Sequence, residues 1–331
     1  MTVLNHIPFS LLELAAVPQD ASAADTLQAM LDYAQRADEL GYHRFWLAEH
    51  HNMPGIASSA TPVLIGQVAA RTRHIRVGSG GIMLPNHPPL IVAEQFGTLD
   101  ALYPGRIDLG LGRAPGTDPL TSRALRRDDM RAERFPDEVA ELQELLGPDS
   151  GRRVNAYPGT DSAVDIWLLG SSLFSAQLAA QRGIPYAFAG HFAPQLASEA
   201  LDLYHRQFRP SESLQEPYSI LCLPMVVADT DEEADYLNTS VQQRVMKLIL
   251  GQPLFLPPPV DSMDDRWDPA IKARVDAFLG LSVTGSPATV RSKLQAVQKR
   301  FPVNEFMFTN DIYDRQKRLH ALELLQQLKN E

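Results

Sequence analysis

Residues 44–117 read RFWLAEHHNMPGIASSATPVLIGQVAARTRHIRVGSGGIMLPNHPPLIVAEQFGTLDALYPGRIDLGLGRAPGT. Three short apolar runs of β type occur here, and they end in His50-His51, Gly80-Gly81 and Arg113. In a parallel β/α architecture the carboxyl ends of the strands meet at one face, which carries the active site. We therefore expect two imidazoles, a glycine pair and a cation to gather at one site. This pattern is typical of an enzyme rather than of a scaffold.

Strand-like and helix-like runs alternate along the rest of the chain. Apolar runs predict strands at 7–14, 44–50, 74–80, 106–112, 165–170, 186–190, 218–228 and 305–310. Helical periodicity and capping residues predict helices at 23–40, 59–71, 89–102, 121–146, 173–182, 194–208, 231–250, 287–300 and 314–329.

Eight strand–helix alternations without an internal repeat predict an α/β fold, namely a (β/α)8 TIM barrel. The 331 residues fit one such domain over 1–331, since the barrel takes roughly 250 residues before insertions. The alternative is an open doubly wound sheet. No GxGxxG motif follows the first strand, which weakens a dinucleotide-binding interpretation.

A long insertion near the seventh strand, residues 251–268, interrupts the alternation. It contains three consecutive prolines and follows no period of 2 or 3.6, so regular pairing is not expected. Structureless loops of this length inside a domain are often active-site lids. We expect a lid, and the alternative is a disordered surface loop.

Composition restricts the class of partner. The net charge is −10, whereas nucleic-acid binding needs clustered Lys and Arg. No run approaches the roughly 20 apolar residues of a membrane span. The single cysteine, Cys222, lies in the apolar run ILCLPMVVA, and we expect it to be a buried packing thiol. One cysteine excludes an internal disulfide and fits a reducing compartment, so we expect a cytoplasmic protein.

The sequence Glu49-His50-His51 closes the second predicted strand. Adjacent side chains on a strand point to opposite faces, so at most one of the two imidazoles can enter the barrel mouth. The other would lie between strand and helix. No further ligand stands at a familiar metal-site spacing such as HExxH, and we expect no metal site.

Arg113 and residues 170–175 (GSSLFS) together suggest an anion site. An arginine at a strand end makes bidentate contacts with a phosphate or carboxylate, and its alternative partner is an acid such as Asp118. Small residues before a helix leave backbone N–H groups free for an anion, although Ser171 or Ser172 could equally be an N-cap. The glycine-rich residues 78–81 allow close approach of a ligand, and the alternative there is a β-bulge.

Four longer segments resemble the bacterial luciferase-like, flavin-dependent monooxygenase superfamily, and within it the subgroup of small luciferase-like oxidoreductases. They are AEHH (48–51), VGSGGIMLPNHPP (77–89), AEQFGTLDALYPGRIDLGLGRAPG (93–116) and WLLGSSLFSAQLAAQRGIPYAFA (167–189). The resemblance implies a (β/α)8 barrel, usually a homodimer, that binds FMN at its carboxyl-terminal mouth. It also implies that a separate NAD(P)H-dependent flavin reductase supplies reduced FMN, which uses O2 to oxidise a small organic substrate.

The resemblance also assigns roles to individual residues. His50 matches the histidine that supports flavin–oxygen chemistry, and Gly80 and Gly81 match a pair joined by a cis peptide beneath the isoalloxazine ring. Arg113 matches the residue that binds the flavin phosphate. The backbone positions that complete the phosphate site are matched by Gly170, Ser171 and Phe174.

The chain departs from the light-emitting members at two places. Gly112 replaces a reactive cysteine, and the LGSS turn replaces an acidic one, so light emission from an aldehyde is not expected. We predict a two-component, FMN-dependent monooxygenase. The alternatives are an F420-dependent oxidoreductase and a flavin-binding protein without turnover. The substrate pocket is expected to be lined by residues 12–17, His191-Phe192 and 251–268.

Overall fold

The computed structural model describes residues 3–114, 117–126 and 132–329, and all structural statements concern these residues. The strands are β1 (Phe9–Glu13), β2 (Arg44–Leu47), β3 (Arg76–Ser79), β4 (Ile82–Met83), β5 (Ile107–Gly112), β6 (Asp165–Gly170), β7 (Tyr186–Phe188), β8 (Ser219–Val227), β9 (Val283–Gly285) and β10 (Glu305–Thr309).

Eight of the described strands close into a parallel barrel. Their order is β1-β2-β3-β5-β6-β7-β8-β10, and β10 pairs with both β8 and β1. The two short strands lie off this ring, since β4 pairs only with β5 and β9 with β8. The predicted (β/α)8 TIM barrel is therefore confirmed, and the doubly wound sheet is excluded because the sheet has no open edge.

The helices of the described residues follow the strands. They are α1 (Ala23–Glu39), α2 (Thr61–Arg71), α3 (Pro89–Leu102), α4 (Pro119–Ala124), α5 (Phe135–Leu146), α6 (Leu173–Arg182), α7 (Ala197–Gln207), α8 (Asp231–Ile249), α9 (Pro269–Phe278), α10 (Pro287–Arg300) and α11 (Arg315–Gln327). None of them is long and apolar enough to span a bilayer.

Three expectations about the helices need correction. The helical stretch predicted over 121–146 consists of α4 and α5, and residues 127–131 between them lie outside the described part of the chain. The helix predicted over 59–71 begins at Thr61 and has Ala60 as its N-cap, while the hydroxyl of Ser58 donates to the Ala48 oxygen. The sequence interpretation also missed β9 and α9, which follow the insertion.

The barrel interior contains two layers of side chains. Nearer the amino ends of the strands, Arg44, Asp108 and Glu305 form buried ion pairs. Above them an apolar layer fills the barrel, made of Leu12, Trp46, Trp167, Ala187, Ile220, Cys222 and Met307. Cys222 is buried as predicted, and burial raises the pKa of its thiol. The mouth lies above this apolar layer.

The insertion 251–268 contains neither helix nor strand, as expected, but it is docked on its surroundings. The N–H of Leu256 donates to the Val17 oxygen at 2.8 Å, and the Leu256 oxygen accepts from the Gln19 N–H at 2.9 Å. From α8, Arg244 Nε donates to the Leu254 oxygen at 3.1 Å. These bonds attach the insertion to the loop after β1, at the rim of the mouth, and its action as a lid stays a prediction.

Candidate active site at the barrel mouth

The residues selected from the sequence lie at the ends of neighbouring strands. His50 follows β2, Gly80-Gly81 follows β3, Arg113 follows β5, and Gly170 ends β6. These four strands are consecutive in the barrel. The structure therefore brings the predicted residues together along one arc of the mouth.

The two adjacent histidines follow β2, and that only one of them enters the mouth stays a prediction. Trp46 on β2 points into the barrel interior, and His50 has the same parity along the chain. The backbone N–H of His50 donates to the Ser58 oxygen at 3.0 Å, which fixes the chain at this point. The imidazole of His51 instead bonds the neighbouring Glu49.

Glu49 is a buried carboxylate that links three segments. Its Oε1 accepts from Nε2 of His51 at 2.7 Å and from Nε2 of His87 at 2.8 Å, and its Oε2 accepts from the Met83 N–H at 3.1 Å. Burial alone would raise the pKa of Glu49, but these hydrogen bonds outweigh it and lower the pKa to about 2. Glu49 is therefore ionised at neutral pH.

The sequence interpretation missed this cluster because His87 lies far along the chain, in the NHPP motif. Glu49, His51 and His87 are metal-ligand types, and their donor atoms lie within 4.8 Å of one another. Ligand atoms about 2.0–2.2 Å from a tetrahedral ion stand well over 3 Å apart. Both distances from Glu49 Oε1 are shorter than that, so hydrogen bonding accounts for the arrangement.

Gly80 and Gly81 follow β3 and present backbone without side chains at the mouth, a surface that we call the glycine floor. The peptide bond between them is cis, as the resemblance implied. A Cβ added to Gly80 would lie 2.5 Å from Cδ1 of Leu12, and one added to Gly81 would lie 2.7 Å from the Gly110 oxygen and overlap Leu169. No larger residue fits at either position without displacing its neighbours.

Arg113 meets the start of α6. Its guanidinium carbon lies 4.0 Å from the centroid of the Phe174 ring. The N-cap of α6 is Ser172, whose side chain makes no capping hydrogen bond, so the serine N-cap alternative is not supported at that residue. Asp118, the alternative partner of Arg113, instead caps α4 by accepting from the N–H groups of Leu120 and Thr121.

The wall opposite His50 carries a second imidazole, which sequence reasoning placed only in a pocket loop. His191 follows β7, and β7 is four strands from β2 in either direction around the barrel. Burial, with a smaller effect of His50 and against the opposing effect of Asp311, lowers the pKa of His191 to about 4. His191 is therefore neutral, and it is near enough to His50 for the two rings to interact electrostatically.

Ion pairs hold the carboxylates at the ends of β1 and β10. Asp311, which follows β10, is paired with Arg244 of α8. Glu13 at the end of β1 pairs with Arg318 of α11 at 2.5 Å. Both carboxylates are thus held by partners on the outer helices.

Comparison with known proteins identifies the family of the chain. The sequence profile of the luciferase-like monooxygenase family matches residues 7–303. A protein of Escherichia coli strain K12 named luciferase-like monooxygenase is 50% identical over 327 residues, which are 98% of each chain. The crystal structure of apo-MsnO8 is 34% identical, with a TM-score of 0.87 over 98% of each chain.

Two more distant structures share the fold. One is a type II Baeyer-Villiger monooxygenase, the oxygenating constituent of 3,6-diketocamphane monooxygenase from Pseudomonas putida, in complex with FMN. It has a TM-score of 0.74 and 19% identity, with 97% of each chain covered. The other is an F420-dependent secondary alcohol dehydrogenase with an F420-acetone adduct, with a TM-score of 0.72, 14% identity and 99% of each chain covered. The chain belongs to the luciferase-like monooxygenase family.

Proposed function

We propose that this luciferase-like monooxygenase uses reduced FMN and O2 to oxidise a small organic substrate, and that a separate NAD(P)H:flavin reductase supplies the reduced flavin. The observation that carries the proposal is the contact between Arg113 and Phe174, because it joins a strand-end cation to a helix N-terminus. That combination suits a phosphate monoester such as the one that FMN carries.

The residues present fit the two ends of FMN. The guanidinium of Arg113 offers a fork of donors for the phosphate, and the backbone at Gly170 and Ser171, with Phe174, completes that end. A Cβ on Gly170 would lie 2.6 Å from Ser175 Oγ, so α6 can approach β6 closely only because this residue is glycine. The floor at Gly80-Gly81 offers a flat surface for the ring.

When bound, the flavin supplies the oxidation chemistry, which no side chain here provides. The protein binds the phosphate, orients the ring and excludes water. His50 follows β2 at the mouth, where an imidazole can hold or transfer a proton near neutral pH. We assign it the catalytic role for these reasons.

Further features belong to the proposal. We propose that residues 1–331 act as one domain, that the protein is a cytoplasmic homodimer, and that it needs neither a metal nor a nucleic acid. A small-molecule substrate would enter from above the mouth, between residues 12–17, His191-Phe192 and the insertion 251–268.

Flavin binding tests the proposal directly. The wild type is expected to bind FMN, more tightly in the reduced form. Arg113→Ala should weaken binding by about ten- to a hundred-fold, since a charge-assisted hydrogen bond contributes roughly 1.5–3 kcal/mol. Arg73→Ala, an exposed arginine before β3, is the matched control and should bind as the wild type does. Equal affinities for the wild type and Arg113→Ala at every salt concentration would refute the assignment.

Two further measurements separate the alternatives. Dissociation constants for FMN and F420 decide which cofactor the mouth prefers. Oxygen uptake beyond flavin autoxidation, over a panel of ketones, aldehydes and thioethers, distinguishes an enzyme from a flavin-binding protein. In the oxygen-uptake assay, His50→Asn should lose turnover. In an FMN titration the same variant should bind as the wild type does, because His50 follows β2 whereas the proposed phosphate site is at the ends of β5 and β6.

A further inference from the structure

His191 and His50 approach each other across the barrel. They follow β7 and β2, which are diametrically opposed in the ring of eight strands. The effect of His50 on the pKa of His191 shows that the two imidazoles lie near each other, although their strands are on opposite walls. A ligand lying over the glycine floor would be flanked by one imidazole on each side.

The Nδ1 atom of His191 is buried and has no hydrogen-bond partner among the described residues. Nearly all buried polar atoms in folded proteins are hydrogen-bonded, and exceptions often mark a site that a ligand completes. The acid that affects the pKa of His191, Asp311, is already paired with Arg244. The chain itself therefore leaves this atom for another molecule.

We propose that His191 is a flavin-binding residue, whose Nδ1 hydrogen-bonds the ring of the flavin bound over the mouth, on the side opposite His50. This inference rests on the proposed function. His191 acts as a neutral group, because burial keeps it unprotonated at neutral pH. It therefore adds a directed hydrogen bond to the ring without adding a charge.

Nuclear magnetic resonance of histidine side chains gives a readout that does not depend on turnover. Protein labelled with 15N-histidine has nine imidazoles, and the His191→Asn variant identifies the signal of His191. We expect a neutral ring at pH 6, and a shift of its Nδ1 resonance when reduced FMN is added without oxygen. The signal of His74, an exposed histidine, should not move.

Substitutions test the atom that makes the contact. The side-chain amide of asparagine lies near the position of Nδ1 in histidine, and that of glutamine lies near the position of Nε2. Leucine has no polar atom at either position. We expect His191→Leu and His191→Gln to bind reduced FMN about ten-fold more weakly, and His191→Asn to stay within about three-fold of the wild type. His74→Asn is the control and should have no effect. If His191→Leu fails to fold, the Asn and Gln variants decide.

The outcomes separate this inference from the proposed function. Failure of the wild type to bind FMN, or an Arg113→Ala variant that binds FMN equally well, overturns both. Suppose instead that Arg113→Ala weakens binding, while the Nδ1 signal is unmoved and all His191 variants bind as the wild type does. Then FMN binds at the mouth and the inference about His191 alone is wrong.

Discussion

At the scale of single residues, hydrogen bonds from buried side chains fix the backbone around the mouth. Glu49 is an example, since one ionised carboxylate ties the end of β2 to β4 and to the loop before α3. The adjacent His50 belongs to the same short segment. We therefore expect the hydrogen bonds of Glu49 to help fix the position of His50.

Replacement of Glu49 by Gln should lower the free energy of unfolding at pH 7 by about 3 kcal/mol, since the pKa of this buried group falls from 4.5 to about 2 on folding. A carboxyl with a lowered pKa stabilises the fold above its unfolded pKa, and this contribution is lost as the pH falls toward 2. The difference between wild type and Glu49→Gln in urea unfolding should therefore shrink from pH 5 to pH 3. The exposed Glu144→Gln should show no such difference, and a constant difference over this range would contradict the assignment.

The floor of the mouth has room for glycine only. Gly81→Ala should destabilise the protein by about 1–3 kcal/mol, because its Cβ would overlap Leu169 and crowd the Gly110 oxygen. It should also weaken FMN binding. Gly66→Ala is the control, since the nearest atom to its Cβ is 3.5 Å away and the site is inside α2, where alanine is favoured. A Gly81→Ala variant with wild-type stability and FMN affinity would exclude a tightly packed floor.

At the scale of elements, the sequence predicted those with strong local signals. The bounds of α3, α6, α10 and β6 agree with the predicted ones, because prolines, glycines or small polar residues mark their ends. The signal for α9 is weak, since Val275 is its only buried residue among those described. That Arg113 lies beside the 170–175 turn was expected from strand-end convergence. The hydrogen bond of His87 to Glu49 and the burial of His191 depend on tertiary contacts that no local pattern contains.

The insertion 251–268 also packs on the loop between β2 and α2. Gly55 packs so tightly on the backbone of Leu254 and Phe255 that an added Cβ would overlap both. Gly55→Ala should therefore speed proteolysis within 251–268 while leaving the unfolding midpoint nearly unchanged, and Gly66→Ala should not. If the insertion is a lid, reduced FMN with substrate should slow its cleavage in the wild type. Cleavage at one rate with and without these ligands would leave it an ordinary surface loop.

At the scale of the whole molecule, the buried ion pairs and the proposed flavin site lie at opposite ends of the barrel. Arg44 of β2 pairs with Asp108 of β5 at 2.7 Å and with Glu305 of β10 at 3.2 Å. Asp108 also pairs with Arg76 of β3 at 2.5 Å. These buried charges tie strands from different parts of the barrel together near their amino ends. The proposed flavin site lies beyond the apolar layer, at the other end.

This separation leads to a test on the whole fold. Burial opposes ionisation of Asp108, but Arg44 and Arg76 outweigh it and hold its pKa below the usual value. Asp108→Ala would leave Arg44 buried with one carboxylate fewer, and loss of one partner of a buried pair costs about 3–5 kcal/mol. Asp276→Ala, which breaks the exposed pair with Lys272, should cost about 0.5 kcal/mol or less.

The triple variant Arg44→Met/Asp108→Leu/Glu305→Gln distinguishes charge from packing. It removes the three charges of the cluster together, so that no buried charge loses its partner within it, and it should recover part of the stability lost in Asp108→Ala. Because the cluster lies below the apolar layer, the folded fraction of each variant should bind FMN as tightly as the wild type. Urea unfolding and FMN titration of the same samples measure both quantities. If FMN affinity falls together with the free energy of unfolding across these variants, the two ends of the barrel are coupled. The apolar layer between them would then not keep the mouth independent of the ion pairs.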